Sequence, residues 1–367
     1  MSRQRLALLV IAALVVISGA LYLSGRRNRP RETQGALLVP ALIPEMNSVT
    51  AVSVRKGSPA PSLTVHKLGQ QWTVAQRSDY PADVAKLRKL LMALGDAKII
   101  EEKTSDPSRY AGIGVDDPSQ PAATGIELTV TVPGGQHVLI VGKPLGDGNF
   151  VRRAGEKQSY SVEPSISLET EPRFWIDSRL IDVPTAQIQS IEVKPAAGPA
   201  YSLHRLNPAD NTFGLDRAPA DRKALDAHAL APSATLLTTL NAEDVSPAAD
   251  IDFSHSSQVI VTLTDGNIID LTGVVIGDKH WLQVKSNKDP ALSAKSEGRA
   301  FEMPSYRYDA LFKPLEQLLV PKEQPQPKGS AHTPGRPQAS VPQATSGRPV
   351  APRPAVPPPA APPTQAP

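Results

Sequence analysis

The first feature of the chain is an uninterrupted apolar run near its start. From Leu6 to Leu23 no residue is charged, and Ser18 and Tyr22 are the clearly polar side chains. Such a run is just long enough for a helix to cross a hydrocarbon core of about 30 Å. Arginines flank it on both sides and can reach the two headgroup layers. The pattern predicts a transmembrane helix over residues 6–23 after a short cytoplasmic stub.

Two other interpretations of this run stay open, a cleaved signal peptide and a buried core helix. The run is longer than the usual apolar region of a signal peptide, and Ser18-Gly19-Ala20 is a weak cleavage site. The arginines on the two sides nearly balance, so charge alone does not orient the helix, although long domains are exported largely regardless of charge. We expect a single-pass membrane protein whose following region is exported across the membrane.

The second feature is an internal repeat of alternating apolar and polar positions. Residues 126–151 and 257–282 align without a gap at a constant offset of 131. The alignment pairs glycines and aromatic residues: Gly135 with Gly266, Gly142 with Gly273, Gly146 with Gly277 and Phe150 with Trp281. Alternation broken by turn residues predicts a β-meander in each copy. Gly142 and Gly273 are predicted to bend or bulge the chain where the second strand ends.

Each copy also contains a candidate helix upstream of its meander. In the first copy Pro81-Ala82-Asp83 opens the helix, leucines at helical spacing give it one apolar face, and Gly95 ends it. In the second copy the equivalent run, Leu225 to Leu240, is interrupted by Pro232. The predicted fold class is therefore α+β, with two tandem repeats that each combine an antiparallel β-meander with one helix.

The domain organisation follows from these patterns and from composition. We predict a stub and transmembrane helix over 1–24, a linker without regular structure over 25–46, one ectodomain repeat over 47–182, a second over 183–320, and a tail over 321–367. The tail holds 15 prolines in 47 residues. A segment of that composition cannot bury enough apolar surface to order itself, so we expect a disordered, proline-rich end.

Charge is distributed unevenly along the chain. The net charge is +3, but the first 32 residues carry +5 and the last 47 carry +4, which leaves −6 for the region between them. An acidic globular region repels a phosphate backbone, so nucleic acid is not an expected partner. Cysteine is absent, which excludes disulfides and thiolate chemistry.

The polar residues that invite a catalytic or metal-binding interpretation do not form known motifs. Asp250, Asp252 and His255 bear metal-ligating groups, but His255 stands where an EF-hand loop needs glycine. Asp116-Asp117 reads as a turn rather than a ligand cluster. We therefore predict no catalytic, cofactor-binding or metal-binding residue and no cofactor.

Two further sets of residues have a structural interpretation. Glu169 and Glu171 would share one face of a solvated strand edge. The tryptophans Trp72, Trp175 and Trp281 recur near strand ends and are better explained as core anchors than as a sugar-binding platform.

Three stretches resemble a known bacterial family. They are WTVAQRSDYPADVAKLRKLLMALGDAKII, which begins at Trp72, RYAGIGVDDP, and FWIDSRLIDVPTAQIQSIEV over residues 174–193. The chain resembles the domain-of-unknown-function family numbered 4340 over most of residues 46–320, although Ala111 lengthens the usual tyrosine-glycine-leucine motif. The resemblance implies a membrane-anchored envelope protein, often encoded near gliding-type ABC transporter auxiliary subunits, with no established activity.

Two hypotheses for the function follow. The first is a non-enzymatic accessory protein whose ectodomain binds another envelope protein, such as an ABC transporter auxiliary subunit. The alternative is an envelope hydrolase or glycan-binding module that uses the region of Asp250, Asp252 and His255. The oligomeric state is left open by the sequence.

Overall fold

The computed structural model describes residues 34–321. The predicted transmembrane helix over 6–23 and the proline-rich tail after Pro321 lie outside the described residues. Among residues 34–321, no helix has the length and apolar character that crossing a membrane requires.

The described chain is mostly β-sheet with a few short helices. Numbered along the chain, the strands are β1 Ala51–Arg55, β2 Leu63–Leu68, β3 Gln71–Val74, β4 Tyr80–Pro81, β5 Lys98–Glu102, β6 Ile126–Val132, β7 Gly135–Leu145, β8 Gly148–Arg153, β9 Ser159–Glu163, β10 Arg179–Ile181, β11 Ile188–Lys194, β12 Tyr201–Asn207, β13 Thr212–Asp216, β14 Leu240–Asn241, β15 Asp244–Pro247, β16 Ser257–Leu263, β17 Ile268–Ile276, β18 Lys279–Ser286 and β19 Arg299–Met303. The α-helices are α1 Leu42–Glu45, α2 Val84–Asp96, α3 Tyr110–Ile113, α4 Ala227–Leu230, α5 Pro290–Ser296 and α6 Ser305–Leu311.

The two large sheets have the same topology. The first has nine strands in the order β4-β3-β2-β1-β6-β7-β8-β9-β5, and the second has eight in the order β13-β12-β11-β16-β17-β18-β19-β15. Apart from β4, every strand of one sheet has a counterpart at the same position in the other. The meander predicted for each copy is present as β6-β7-β8 and β16-β17-β18.

The gapless sequence alignment of the two copies hides two structural differences of one residue each, which compensate for each other. Val132 pairs with Gly135, which leaves two residues in the first turn, whereas the Leu263 amide donates to Asn267 across a turn that is one residue longer. The first copy regains the register because β7 contains a bulge between Val141 and Pro144. The second copy has no such shift between β17 and β18.

This difference corrects part of the prediction for the paired glycines. Gly142 lies within the bulge of β7, as expected, but Gly273 pairs regularly with Ser257 and Leu282. Neither strand ends at its glycine, since β7 continues to Leu145 and β17 to Ile276. At Gly273 the small side chain is needed for close packing, because a Cβ there would lie 2.3 Å from the Phe312 ring.

The predicted first helix is confirmed, and the second is shorter than expected. Helix α2 begins after Asp83, whose carboxylate accepts a hydrogen bond from the Lys86 amide at 2.9 Å. Its inward face buries four leucines: Leu87, Leu90, Leu91 and Leu94. Of the helix predicted over Leu225 to Leu240 in the second copy, only α4 is α-helical, and it continues as a 3₁₀ helix over Ala231–Thr235. Pro232 explains the change, because it has no N–H for an α-helical hydrogen bond.

The expected linker is wrong for its C-terminal half. Leu38 and Leu42 are fully or almost fully buried, and α1 forms within residues predicted to be irregular. The Leu38 amide donates to the Ala97 carbonyl at 2.7 Å. Their sequence shows no helical or strand periodicity because they form one short apolar segment that packs on the first sheet. The globular region thus includes residues 35–46 and does not begin at Met46.

Both sheets contribute to one continuous apolar core. It runs from Leu38 to Leu319 and includes the inward faces of β1 and β6 in the first copy and of β11 and β16 in the second. The two repeats therefore fold against each other as a single body rather than as separate domains.

Candidate functional site at the repeat junction

One loop in each copy lies over the sheet face that is turned away from the shared core. The first covering loop connects β5 to β6, and the second covering loop connects β15 to β16. In the first copy Tyr110 and Val115 pack on Ile140, with Phe150 at the edge of this small cluster. In the second copy the residues that cover Trp281 are Ile251 and Phe253. Phe150 and Trp281 are equivalent in the repeat, so the family-like motif RYAGIGVDDP has a packing role that the second copy reproduces.

The sequence candidates for metal binding belong to the second covering loop. Asp250 closes the 3₁₀ turn Ala248–Asp250, and the Asp252 carboxylate accepts a hydrogen bond from the Ser254 amide at 2.9 Å. That bond lowers the pKa of the Asp252 carboxyl. Asp250, Asp252 and His255 are all exposed. Within residues 34–321 no group of three His, Asp or Glu side chains could hold a metal ion.

Asp116 fastens the first covering loop. Its carboxylate accepts hydrogen bonds from the Gly125 amide at 2.9 Å and from the Thr124 hydroxyl at 2.9 Å. Burial raises the pKa of this carboxyl, but the hydrogen bonds from Thr124 and Gly125 outweigh burial and leave the pKa lowered. The turn predicted at Asp116-Asp117 is present, and the Asp116 carboxylate holds the loop in place through these hydrogen bonds.

The remaining candidates also have structural roles. Glu169 and Glu171 do not lie on a strand, since both precede the 3₁₀ helix Pro172–Trp175. The Glu169 carbonyl accepts a hydrogen bond from the Trp175 indole at 2.9 Å, and Glu171 pairs with Arg173. Trp175 and Trp281 are buried and Trp72 packs against the core, which confirms their prediction as core anchors.

Backbone strain is concentrated where the two repeats meet. Among the described residues, four that are not glycine have positive φ, and three of them, Ser78, Asp79 and Thr239, flank strands at this junction. A left-handed conformation costs a residue with a Cβ about 1–2 kcal/mol. Such strain persists only where the surrounding contacts determine the backbone, which is typical of functional regions.

The turn that contains Ser78 and Asp79, called the strained turn below, is followed directly by Tyr80, which lies where the two repeats meet. Tyr80 is fully buried, and its ring meets the Phe301 ring of the second sheet edge-on at 5.7 Å. Burial, and then the nearby Asp177 carboxylate, raise the pKa of the Tyr80 hydroxyl well above its usual range. This hydroxyl is therefore neutral and carries a proton to donate.

Charged groups of both repeats surround Tyr80. The Lys295 ammonium and the Arg299 guanidinium lie 5.6 and 5.7 Å from the centre of its ring. Lys295 binds the Asp177 carboxylate at 2.7 Å, and Arg299 donates to the Ser78 carbonyl at 3.0 Å. These contacts join α5 to the segment that precedes β10, and β19 to the turn at Ser78 of the first repeat.

Two donors at the junction have no acceptor. The Tyr80 hydroxyl and the Arg299 Nε are buried, and neither makes a hydrogen bond within the described part of the chain. The other guanidinium nitrogens of Arg299 are occupied by backbone carbonyls of Ser78, Ala294 and Lys295. A buried donor without a partner costs stability and calls for an explanation such as a bound ligand or water.

A cleft of about 440 Å³ opens beside Arg299. It lies between β18, α5 and the second covering loop, and the polar residues among those that line it are Gln283, Lys285, Ser286, Ser293, Ser296, Glu297 and Arg299. Its volume is within the range of sites that bind small ligands or short segments. Gln283, Lys285 and Glu297 make no side-chain hydrogen bond or ion pair within residues 34–321, so their polar groups are available.

Sequence reasoning did not find this site because its residues lie far apart in the chain. Tyr80 and Arg299 are separated by more than half of the described residues, and neither belongs to a spaced motif. One signal was present in the sequence: Ser78-Asp79, a combination typical of a turn, lies one residue before the proline-alanine-aspartate helix start, and the residue between them is Tyr80.

Comparison with known proteins agrees with the resemblance noted in the sequence. The model of one family, described as a domain of unknown function (DUF4340), matches residues 72–258, which is half of the chain. Neither a curated protein nor a solved structure matches the chain. The matched residues include the strained turn, α2, the first covering loop and the junction residues of the first repeat. The chain belongs to the DUF4340 family.

Proposed function

We propose that this protein is a non-enzymatic, single-pass component of a bacterial envelope complex. Residues 6–23 anchor it in the inner membrane, and the two-repeat region lies in the periplasm. The ectodomain binds another envelope protein, such as an ABC transporter auxiliary subunit. The apolar run and its flanking arginines support the anchor, and the family resemblance supports the compartment.

The observation that carries the binding function is the cleft beside Arg299. This cleft is lined by polar groups that have no partner within residues 34–321, those of Gln283, Lys285 and Glu297. The elements that form it are held in place by the shared core and by the contacts of Lys295 and Arg299. A rigid wall favours binding because little conformational freedom remains to be lost. The Asp252 carboxylate accepts a hydrogen bond within its own loop, and this arrangement gives no support to the alternative hydrolase or glycan-binding function.

Co-purification from cross-linked membranes tests the binding function. The tagged full-length protein, expressed at its native level, should enrich one envelope protein in constant proportion. The tag on an unrelated single-pass protein is the control. The proposal fails if no envelope protein is enriched above that control.

The compartment is tested separately by reporter fusions after Lys322. A reporter that is active only after export should be active at this site, and a reporter that works only in the cytosol should be silent. The reverse pattern would place the ectodomain in the cytosol.

A further inference from the structure

We infer that the cleft beside Arg299 receives a carboxylate of an acidic peptide segment carried by the bound protein. This inference deepens the proposed function and rests on it. It follows from the donors that surround the cleft, from the charge of its rim and from its size.

The wall of the cleft offers donors that the protein does not use itself. Gln283 and Lys285 are two residues apart on β18, so their side chains lie on the same face of the sheet. The Lys285 ammonium has three N–H groups and the Gln283 amide has two. Neither group is engaged by another described residue, and Lys285 is exposed whereas Gln283 is half-buried.

Arg299 adds a second cationic side chain to the lining of the cleft. Its guanidinium donates to backbone carbonyls and forms no ion pair within residues 34–321, so its charge is available to attract an anion. A carboxylate is the natural complement, because it offers only acceptors and forms the stronger, charge-assisted hydrogen bonds with Lys and Arg.

The rim favours a singly charged carboxylate over a more highly charged anion. Glu297 lines the cleft and is exposed. Its charge repels an anion, and the repulsion grows with the anion's charge, which disfavours phosphate. The same carboxylate can accept a hydrogen bond from an amide of a peptide that occupies the cleft.

The size and the Ser293 hydroxyl favour a peptide as the carrier of the carboxylate. Ser293 lines the cleft and donates its proton to backbone carbonyls, so its hydroxyl oxygen remains able to accept a hydrogen bond. Peptide N–H groups are donors of the matching kind. A cleft of about 440 Å³ accommodates an acidic side chain together with adjoining backbone. The region over residues 33–320 has a net charge of −6, so most of its surface repels an acidic segment. The cationic side chains of the cleft would therefore attract such a segment to this one place.

The test measures binding of labelled peptides to the full-length protein by fluorescence anisotropy. The probes are an acetylated hexapeptide with two central glutamates, the same peptide with glutamines, and inorganic phosphate as competitor. The variant Lys285→Gln removes the available cation, and Lys89→Gln on exposed α2 is the matched control. Because Lys285 is exposed, its replacement leaves the fold intact, and equal melting temperatures verify this.

We expect the glutamate peptide to bind at least 10-fold more tightly than the glutamine peptide, which is the usual scale for a charge-assisted hydrogen bond. Lys285→Gln should remove that preference and Lys89→Gln should keep it. Equal binding of the two peptides, or an unchanged preference in Lys285→Gln, would overturn the inference. Effective competition by phosphate would also overturn it and identify an inorganic anion site. If the peptides fail while an envelope protein still co-purifies, the proposed function stands and only this inference falls.

Discussion

Arg77 of the first repeat and Asp244 of the second form a two-point ion pair across the junction. The Nη2 of Arg77 lies 2.9 Å from Oδ2 of Asp244, and Nε of Arg77 donates to Oδ1. Both side chains are largely buried, with 24% and 14% of their surface exposed. The pair joins the 3₁₀ turn before the strained residues to the edge strand β15.

Breaking this pair should destabilise the whole described region. We expect Asp244→Asn to lower the free energy of unfolding by about 1–3 kcal/mol, because the buried guanidinium keeps only neutral acceptors. Chemical denaturation of Arg77→Leu, Asp244→Asn and the double variant would measure the coupling between the two residues. A coupling near zero would show that the pair does not hold the repeats together.

The glycine at position 273 should not tolerate a methyl group. In Gly273→Ala the new Cβ would lie 2.3 Å from Phe312 and 2.8 Å from Tyr308, two rings that pack on β17. We expect a loss of about 1–3 kcal/mol in unfolding free energy, which is typical of overpacking. Gly112→Ala is the control, since no atom lies within 4 Å of its Cβ position. Equal effects of the two variants would contradict the close packing at Gly273.

The apolar face of α2 makes a second stability prediction. Leu91 is buried at 9% exposure and its neighbour Met92 is 59% exposed. Leu91→Ala should cost about 2–5 kcal/mol and Met92→Ala less than about 0.5 kcal/mol, because only the first leaves a cavity. Urea denaturation of the two variants gives both values. A loss below about 0.5 kcal/mol for Leu91→Ala would mean that this face does not pack on the core.

The hydrogen bonds that the Asp116 carboxylate accepts predict a dependence of stability on pH. Because its folded-state pKa is lowered, the ionised carboxylate stabilises the fold above the unfolded pKa of about 3.9, and this contribution is lost as the pH falls through the lower folded-state value. Asp116→Asn should therefore be less stable than the wild type at pH 6, with a difference that shrinks below about pH 4. Melting curves at a series of pH values test this. A constant difference at every pH would assign the effect to packing instead of charge.

The meanders, the first helix and the apolar face of α2 were predictable because they depend on local periodicity. Leu87, Leu90, Leu91 and Leu94 repeat at helical spacing, and Gly146 and Gly277 occupy matching two-residue turns in the two copies. Local signals of this kind do not depend on distant residues, which is why they survive in the folded chain.

Features that depend on distant contacts could not be predicted. Nothing near Gly273 in the sequence indicates that Phe312 lies over it, and the turn of one extra residue before Ile268 is hidden by the bulge in β7. Leu38 and Leu42 lack a period because one short segment packs on a sheet formed by others. The junction around Tyr80 exists only once both repeats have folded, so neither repeat alone encodes it.

The central claim is that the protein acts by binding another envelope protein through the cleft beside Arg299. The most direct measurement is site-specific photo-cross-linking in living cells, with a photoreactive amino acid replacing Gln283 in the cleft or Met92 on α2. The account predicts a light-dependent adduct with one envelope protein from position 283 and none from position 92. No adduct from position 283, or the same adduct from both positions, would contradict it.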